Sequence, residues 1–327
     1  VYGCGYNSFG QLGLGNTTQN ITSFTEMTWC GTNPLSVWNM GAYVGCTFCQ
    51  KSDGTIFAAG YNASGQLGNA NQTSVISTAV NVTTNWTGGA SGMIIQQLVG
   101  GLGLLDGGTA DGGNITMFMD NGTTSRIASA GDNGYGTLGD TTTTLRSTPV
   151  TPTGFSGRVQ QIGRIGDLPG SIWALKTDGT LWNWGFNGQG QLGRGGTTNQ
   201  TTPAQVLTGI SRMLNEVYTT YAYGYANASP VIESGSAYFA SGYNVYGNLG
   251  IGTVTDTGSF QRMRFPAGTT LSKVGTLTTL NNATSRYAVD TANNFYTWGY
   301  NNYNSCFDSQ TTTITVPLRV APPALVK

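Results

Sequence analysis

Few residues in this chain could carry out acid–base or nucleophilic chemistry. It has 327 residues and no histidine, which excludes Ser-His-Asp and Cys-His catalysis, histidine general bases and histidine-containing zinc sites. Aspartates recur at predicted hairpin turns: Asp53, Asp120, Asp178 and Asp290. An aspartate at a turn commonly accepts a hydrogen bond from its own backbone. The sequence therefore predicts a turn role for these carboxylates and no enzyme activity.

The pair Cys46-x-x-Cys49 has the spacing of a metal-binding or redox pair. A second pair is missing, and on a predicted strand residues i and i+3 face opposite sides. We therefore expect free, buried thiols that pack in a core, with no bound metal. The same expectation holds for the other cysteines of the chain, Cys4, Cys30 and Cys306.

Two glycine patterns match the fingerprint of dinucleotide-binding folds, at residues 134–139 and 188–193. That chemistry requires the pattern to follow a strand and to open a helix in a βαβ unit. Neither pattern does so in this sequence, and both coincide with a turn that recurs along the chain. The sequence therefore predicts no cofactor.

Two lengthened segments hold the candidates for ligand binding. Tyrosine offers a rigid contact area with a polar tip, although alternating tyrosines in a strand more often belong to the core and its rim. Loops that are longer than a fold requires often carry function. We therefore predict that residues 100–113 and 218–225 form the partner-facing surface. The candidate contacts are Tyr218, Tyr221, Tyr223, Tyr225, Asp106 and Asp111.

Charge is scarce in this chain and sums to zero. Asp, Glu, Lys and Arg make up 9% of the residues, with 14 acids and 14 bases. Binding to phosphate backbones or anionic lipid needs clustered Lys and Arg, so nucleic acid is not an expected partner. The longest apolar segment, residues 93–105, is shorter than a membrane span of about 20 residues, so we expect no membrane insertion.

The elements that would position these side chains repeat along the chain. Residues 171–195 read as two apolar runs joined at Asp178-Gly179, which predicts a β-hairpin with a two-residue type I′ turn. A loop with Gly185, Phe186 and Asn187 and a Gly-x-Leu-Gly turn follows. Equivalent loops begin at Gly5, Gly60, Gly131, Gly185, Gly242 and Gly299.

Each repeat holds about four short strands. A lead-in run precedes the hairpin at residues 37–40, 95–98, 159–162, 210–213 and 271–274, and a Thr-rich run follows the loop. Helical periodicity is absent, and Gly, Thr and Asn at this density oppose it. Small antiparallel sheets that repeat roughly every 55 residues are typical of a β-propeller. We predict one all-β propeller domain over residues 1–327, with six four-stranded blades or, alternatively, seven.

The repeat resembles that of the regulator-of-chromosome-condensation family, which reads roughly A-L-T-x-D-G-x-V-Y-x-W-G-x-N-x-x-G-Q-L-G-x-G. Residues 174–195 match this pattern nearly position by position, and the resemblance covers all six units. The resemblance implies a propeller. The family is typically seven-bladed, whereas six loop headings are visible here.

The composition favours a non-enzymatic recognition or structural protein at a surface. A neutral exterior rich in hydroxyl and amide groups suits a phage virion component, such as a tail or capsid-associated propeller, or an extracellular adhesin. Such a protein would bind a host-surface glycan or protein receptor, or pack against other structural subunits as an oligomer. The alternative is a cellular protein-interaction scaffold. Guanine-nucleotide exchange, which the family name suggests, is a remote alternative because the matched residues are scaffold positions.

The first repeat lacks the strands that should precede its loop, since Val1 begins directly at the strand before Gly5. An uncovered strand edge is a template for association. We expect residues upstream of Val1 or a neighbouring chain to cover it. The tail at residues 316–327 is disfavoured because Pro317, Pro322 and Pro323 cannot donate ladder hydrogen bonds.

Overall fold

The computed structural model describes residues 1–40, 45–101, 105–106, 109–110, 113–166, 170–214, 230–280, 283–302, 304, 306–307 and 311–320. The chain divides into two compact units. The first comprises residues 1–170 and 200–204, and the second comprises residues 171–199 and 205–327.

Strands dominate the first unit. They are β1 (Tyr2–Tyr6), β2 (Asn20–Glu26), β3 (Pro34–Met40), β4 (Cys46–Lys51), β5 (Ile56–Tyr61), β6 (Val75–Asn81), β7 (Ile94–Gly101), β8 (Leu105–Asp106), β9 (Thr109–Ala110), β10 (Asn114–Asp120), β11 (Ser125–Gly131), β12 (Arg146–Val150) and β13 (Val159–Ile165). A 3-10 turn spans Thr28–Cys30, and one short α-helix, α1, spans Thr83–Thr87.

Every element described for the second unit is a strand. They are β14 (Ser171–Lys176), β15 (Leu181–Gly185), β16 (Gln200–Leu207), β17 (Arg212–Leu214), β18 (Val231–Ser234), β19 (Ala237–Gly242), β20 (Thr257–Arg262), β21 (Leu271–Leu280), β22 (Ala283–Asp290), β23 (Phe295–Gly299) and β24 (Ile314–Val320). Residues 200–204 of β16 belong to the first unit.

The strands pair as antiparallel meanders in chain order. The first unit holds the four-stranded sheets β3-β4-β5-β6 and β12-β11-β10-β7, and the second holds β17-β18-β19-β20 and β21-β22-β23-β24. The strands β13 to β16 repeat the same succession along the chain. The predicted lead-in runs are therefore strands, although the run at Ile210 begins its strand only at Arg212.

The middle strands of each sheet are the core. β14 is buried at all six positions, whereas the outer strand β3 alternates between half-buried and exposed. A strand that is covered on both faces must be continuously apolar or internally hydrogen-bonded, and β14 meets this requirement with Ile172, Trp173, Ala174 and Leu175. The leucines of the Gly-x-Leu-Gly turns are buried. Leu67, Leu138, Leu192 and Leu249 are 0% exposed, and Leu12 is 5% exposed.

The predicted type I′ turn at Asp178-Gly179 is wrong. Only Gly179 has a positive φ, at 78°. The Gly179 N–H donates to the Lys176 carbonyl, and the Lys176 N–H donates to the Thr180 carbonyl, each at 3.0 Å. This is a type I turn closed by a left-handed glycine bulge. Asp178 has no positive φ, and its Oδ1 accepts the Thr180 N–H at 2.9 Å.

The cysteines are free, and four of the five are buried. Cys46 packs in one hydrophobic cluster and Cys49 in another, so the two side chains leave opposite faces of β4 as predicted. Burial raises the pKa of the Cys46 thiol to about 12. The prediction of a buried thiol is wrong for Cys4, which is exposed. Its strand belongs to a sheet that has only β1 and β2 in the described part of the chain.

The tail forms a strand as far as Val320, and the remaining seven residues lie outside the described part. This strand, β24, pairs with β23 as the fourth strand of its own sheet, with Arg319 opposite Tyr296. Pro317 is tolerated there because β24 is an outer strand, where a missing N–H breaks no inner ladder.

Candidate functional site

One loop recurs at the same place in the sheets, between the last two strands in chain order. Each copy begins with a glycine, usually an aromatic residue, and an asparagine. The asparagine Oδ1 accepts the backbone N–H five residues on, at 2.8–2.9 Å in all six copies. The pairs are Asn7–Leu12, Asn62–Leu67, Asn133–Leu138, Asn187–Leu192, Asn244–Leu249 and Asn301–Cys306. This bond holds each loop in one conformation.

The first five of these loops also dock on the fourth strand of the next sheet. The Gly15 N–H donates to the Ser77 carbonyl at 2.8 Å, and the Gly252 N–H donates to the Thr315 carbonyl at 2.8 Å. At Gly10, an added Cβ would lie 2.5 Å from the Ser77 Cα, which explains why glycine is required there. The loop side chains are therefore placed by two successive sheets.

The first unit carries an aromatic cluster on these loops, which we call the first aromatic patch (Tyr6, Phe9 and Tyr61). Phe9 meets Tyr6 of its own loop at a ring-centroid distance of 6.2 Å. It meets Tyr61 of the next loop edge-on at 5.3 Å. Tyr6 and Phe9 are half-buried and Tyr61 is buried.

The second unit repeats the arrangement in a second aromatic patch (Tyr243, Tyr246 and Tyr300). Tyr246 meets Tyr243 of its own loop at 6.3 Å and Tyr300 of the next loop edge-on at 5.1 Å. All three rings are half-buried, and the neighbouring Val245 is 47% exposed. Burial raises the pKa of Tyr243, and the nearby Tyr246 and Asp256 add to the shift. The phenol is therefore neutral and able to donate a hydrogen bond.

The predicted ligand contacts lie outside what the structure describes. Tyr218, Tyr221, Tyr223, Tyr225 and Asp111 fall outside the described residues, and the side chain of Asp106 does too. They stay predictions.

The strands that flank these two segments are described, and they end at the edge that carries the aromatic loops. Asn114 on β10 lies opposite both Gly101 on β7 and Gly131 at the loop start. Leu214 on β17 lies opposite Val231 on β18. In an antiparallel meander, the first-to-second and third-to-fourth connections share one edge. The strand ends that flank the two segments therefore lie at the same edge of their sheets as the loops.

The turn aspartates have the structural role that the sequence predicts. In each, Oδ1 accepts the N–H two residues on, at 2.7–2.9 Å. Groups of three or more potential metal ligands are absent among the described residues. No helix in the described part of the chain is long and apolar enough to cross a bilayer.

Sequence reasoning missed the aromatic patches. The signal was present, because the residue after the first loop glycine is aromatic in five of six copies, at Tyr6, Tyr61, Phe186, Tyr243 and Tyr300. What the sequence did not show is that the ring three residues later reaches the next repeat.

Known proteins share both the repeat and the fold. A model described as the regulator of chromosome condensation (RCC1) repeat matches residues 178–217. Protein RCC2 of Homo sapiens is 40% identical over 82 residues, which cover 25% of this chain and 15% of that protein. The RCC2 homolog of Xenopus laevis is 37% identical over 82 residues, again 25% and 15% of the two chains. The match thus spans about a sixth of these relatives.

Two solved structures cover nearly the whole chain. Human WBSCR16 aligns with a TM-score of 0.60 and 17% identity over 99% of this chain and 76% of that one. Prp20p of Saccharomyces cerevisiae aligns with a TM-score of 0.57 and 16% identity over 99% and 86%. At these identities the likeness shows the fold alone.

Repeated antiparallel sheets whose loops dock on the following sheet define an all-β protein of the β-propeller class, with about six blades. Within that fold, residues 178–217 form a repeat of the RCC1 type.

Proposed function

We propose that this protein is a non-enzymatic interaction protein that binds a protein partner through the aromatic loops of its blades. The observation that carries the proposal is the recurrence of one contact, Phe9 on Tyr61 and Tyr246 on Tyr300, in both units. The structure of Prp20p was described with that protein's binding to Gsp1p and histones, so a protein partner agrees with a structural relative.

The aromatic rings of each patch are ordered before a partner binds. Tyrosine buries a large area at a small entropic cost, and rings that already pack against each other lose little freedom when a partner arrives. Val245 adds an exposed apolar contact, 47% accessible, beside Tyr246. These are the properties of an interface core, in which aromatic residues are enriched and charged residues depleted.

The relatives come from cellular organisms, and they favour a cellular interaction protein over the virion component that composition alone suggests. A virion or extracellular location stays a prediction that rests on the 9% charged residues. Binding of a surface glycan belongs to that second candidate, because half-buried tyrosines also stack on sugar rings. Guanine-nucleotide exchange has the least support, since no described residue can be assigned to it.

A photo-crosslinking residue placed at Val245 tests the proposal. The matched position is Ser236, which is exposed in the β18–β19 turn at the opposite edge of the same sheet. In extracts of the source cells, we expect protein adducts from position 245 and not from position 236. The Tyr246→Ala change should reduce the adducts roughly tenfold, the effect of a 1.4 kcal/mol contact.

The Val254→Ala variant is the control for the substitution, because Val254 is 49% exposed in the same sheet's loop region and lies outside the patch. Equal adducts from positions 245 and 236 would contradict the proposal. So would protein adducts that persist in Tyr246→Ala, or adducts that consist of carbohydrate.

A further inference from the structure

Arg126 on β11 is a half-buried cation that meets no carboxylate in the described part of the chain. Its Nε–H donates to the Trp86 carbonyl at 2.8 Å, near the end of α1. The guanidinium lies flat against Gly88, where an added Cβ would come within 2.9 Å of Cζ, Nη1 and Nη2. The ion pairs among the described residues join other arginines: Arg146–Asp140, Arg158–Asp120 and Arg212–Glu233. The Nη groups of Arg126 therefore retain unused donors.

Arg126 also lines a cavity of about 320 Å³, at the small end of the roughly 300–1,000 Å³ typical of ligand pockets. Three segments of the first unit line it: residues 87–93 around the end of α1, residues 125–127 of β11, and residues 151–157 after β12. Met93 and Ile127 supply buried apolar walls, and Phe155 supplies a half-buried one.

The charge in this cavity is not balanced. No Asp or Glu lines it. The Ser125 hydroxyl donates to Asp120 Oδ2 at 2.6 Å, but that carboxylate is already paired with Arg158 at 3.2 Å. Burial lowers the pKa of Arg126, yet a guanidinium stays charged in proteins. A half-buried cation without a counter-ion has lost part of its hydration, so the cavity favours an anionic occupant.

We propose that this cavity binds a carboxylate group with a short hydrocarbon portion. The Nη1 and Nη2 N–H groups form a planar fork that matches the two oxygens of a carboxylate. One arginine balances one negative charge, and the walls formed by Met93, Ile127 and Phe155 suit the attached methylenes. The carboxylate could belong to a free small acid or to an acidic side chain of a protein partner, and both use the same fork.

Calorimetric titration of the full chain tests the site with four probes: butyrate, its neutral isostere butyramide, inorganic phosphate and the peptide acetyl-Gly-Glu-Gly-amide. We expect saturable binding of butyrate and none of butyramide. Arg126→Gln should weaken butyrate binding at least roughly tenfold, the scale of one charge-assisted hydrogen bond. Arg126→Lys, which keeps the charge and loses the fork, should also weaken it.

The control variant is Arg262→Gln, which removes the same charge from an exposed arginine in the other unit. It should bind butyrate like the unchanged protein. Thermal unfolding of each variant establishes that it is folded, and Arg126→Lys carries the test if Arg126→Gln does not fold.

Two outcomes identify the source and both support the site. A peptide that binds tenfold more tightly than butyrate, and depends on Arg126, indicates a partner's acidic side chain. Butyrate binding without peptide binding indicates a free acid. Equal binding of butyrate and butyramide, unchanged butyrate binding in the Arg126 variants, or tighter binding of phosphate than of butyrate would overturn the proposal. Crosslinking at Val245 is independent of each of these results.

Discussion

A single asparagine side chain closes each repeat loop, and Asn187 shows how. It is 1% exposed. Its Oδ1 accepts the Leu192 N–H at 2.9 Å, and its Nδ2 donates to the carbonyls of Gly196 and Thr198 at 2.9 and 3.1 Å. The Leu192 N–H is buried, so it depends on this one side chain for its hydrogen bond.

Replacing Asn187 by Ala should lower the free energy of unfolding by about 1–3 kcal/mol, because the buried Leu192 N–H loses its partner. Urea denaturation measures the loss. Thr197→Ala, at an exposed position of the same loop, should change stability by less than about 0.5 kcal/mol. Equal effects of the two changes would contradict the role assigned to the asparagine.

Asp140 makes stability depend on pH. Burial by itself would raise the pKa of this carboxyl, but hydrogen bonds from Thr142, Arg146 and Asn133 outweigh burial and hold the pKa below its usual value. A depressed pKa contributes stability above the unfolded-state value of about 3.9 and loses it as the pH falls through the folded-state value.

The stability advantage of the unchanged protein over Asp140→Asn should therefore be constant above about pH 5 and shrink below about pH 4. Urea denaturation along a pH series gives this difference. Glu26→Gln, at an exposed position, supplies the charge-matched comparison. If the stability advantage of the unchanged protein grew as the pH fell, the pKa of Asp140 would be raised in the folded state and not lowered.

At the scale of the element, the β14–β15 hairpin depends on one glycine. Gly179 has a φ of 78°, and there is room for a side chain, because an added Cβ would lie no closer than 3.4 Å to any atom. The cost of a side chain there is therefore conformational. Gly179→Ala should destabilise by about 1–2 kcal/mol, and Gly179→Asn by less, because Asn tolerates the left-handed region. Thermal unfolding measures both.

Gly196→Ala is the matched control, because an added Cβ meets nothing within 4 Å and no positive φ is recorded there. It should leave stability unchanged or raise it slightly. If Gly179→Ala and Gly196→Ala had the same effect, the left-handed turn would not be what orders this hairpin.

At the scale of the whole molecule, electrostatics contributes little to stability. The 14 acids and 14 bases cancel, and the described ion pairs all include an arginine whose side chain is 34–40% accessible. A solvent-exposed ion pair contributes about 0–1 kcal/mol to the free energy of unfolding. The folded state therefore depends on burial and hydrogen bonding.

The free energy of unfolding should change by no more than about 1 kcal/mol between low salt and about 1 M NaCl, where the Debye length falls to about 3 Å. Urea denaturation at a series of NaCl concentrations measures this. The Arg146→Gln variant, which removes one ion pair, should show an even flatter response. A loss of several kcal/mol on adding salt would reveal a charge network that the described residues do not contain.

The sequence alone determined the features that depend on local pattern. The succession of strands, the buried leucines and the turn role of Asp53, Asp120, Asp178 and Asp290 follow from periodicity, glycine spacing and short-range hydrogen bonding. These are set within a few residues, and the repeats reinforce each prediction. The turn at Gly179 marks the limit, because Asp-Gly fits both a type I′ turn and a type I turn with a glycine bulge, and the register of the two strands selects one.

Only the tertiary structure decided which side chains share a surface. The contacts of Phe9 with Tyr61 and of Tyr246 with Tyr300 join loops of successive sheets, and their geometry depends on how one sheet docks on the next. The cavity at Arg126 gathers three segments that are distant in the chain. Cys4 is exposed because its sheet has two described strands. Sequence patterns report burial along one element, whereas each of these features depends on which elements are packed beside it.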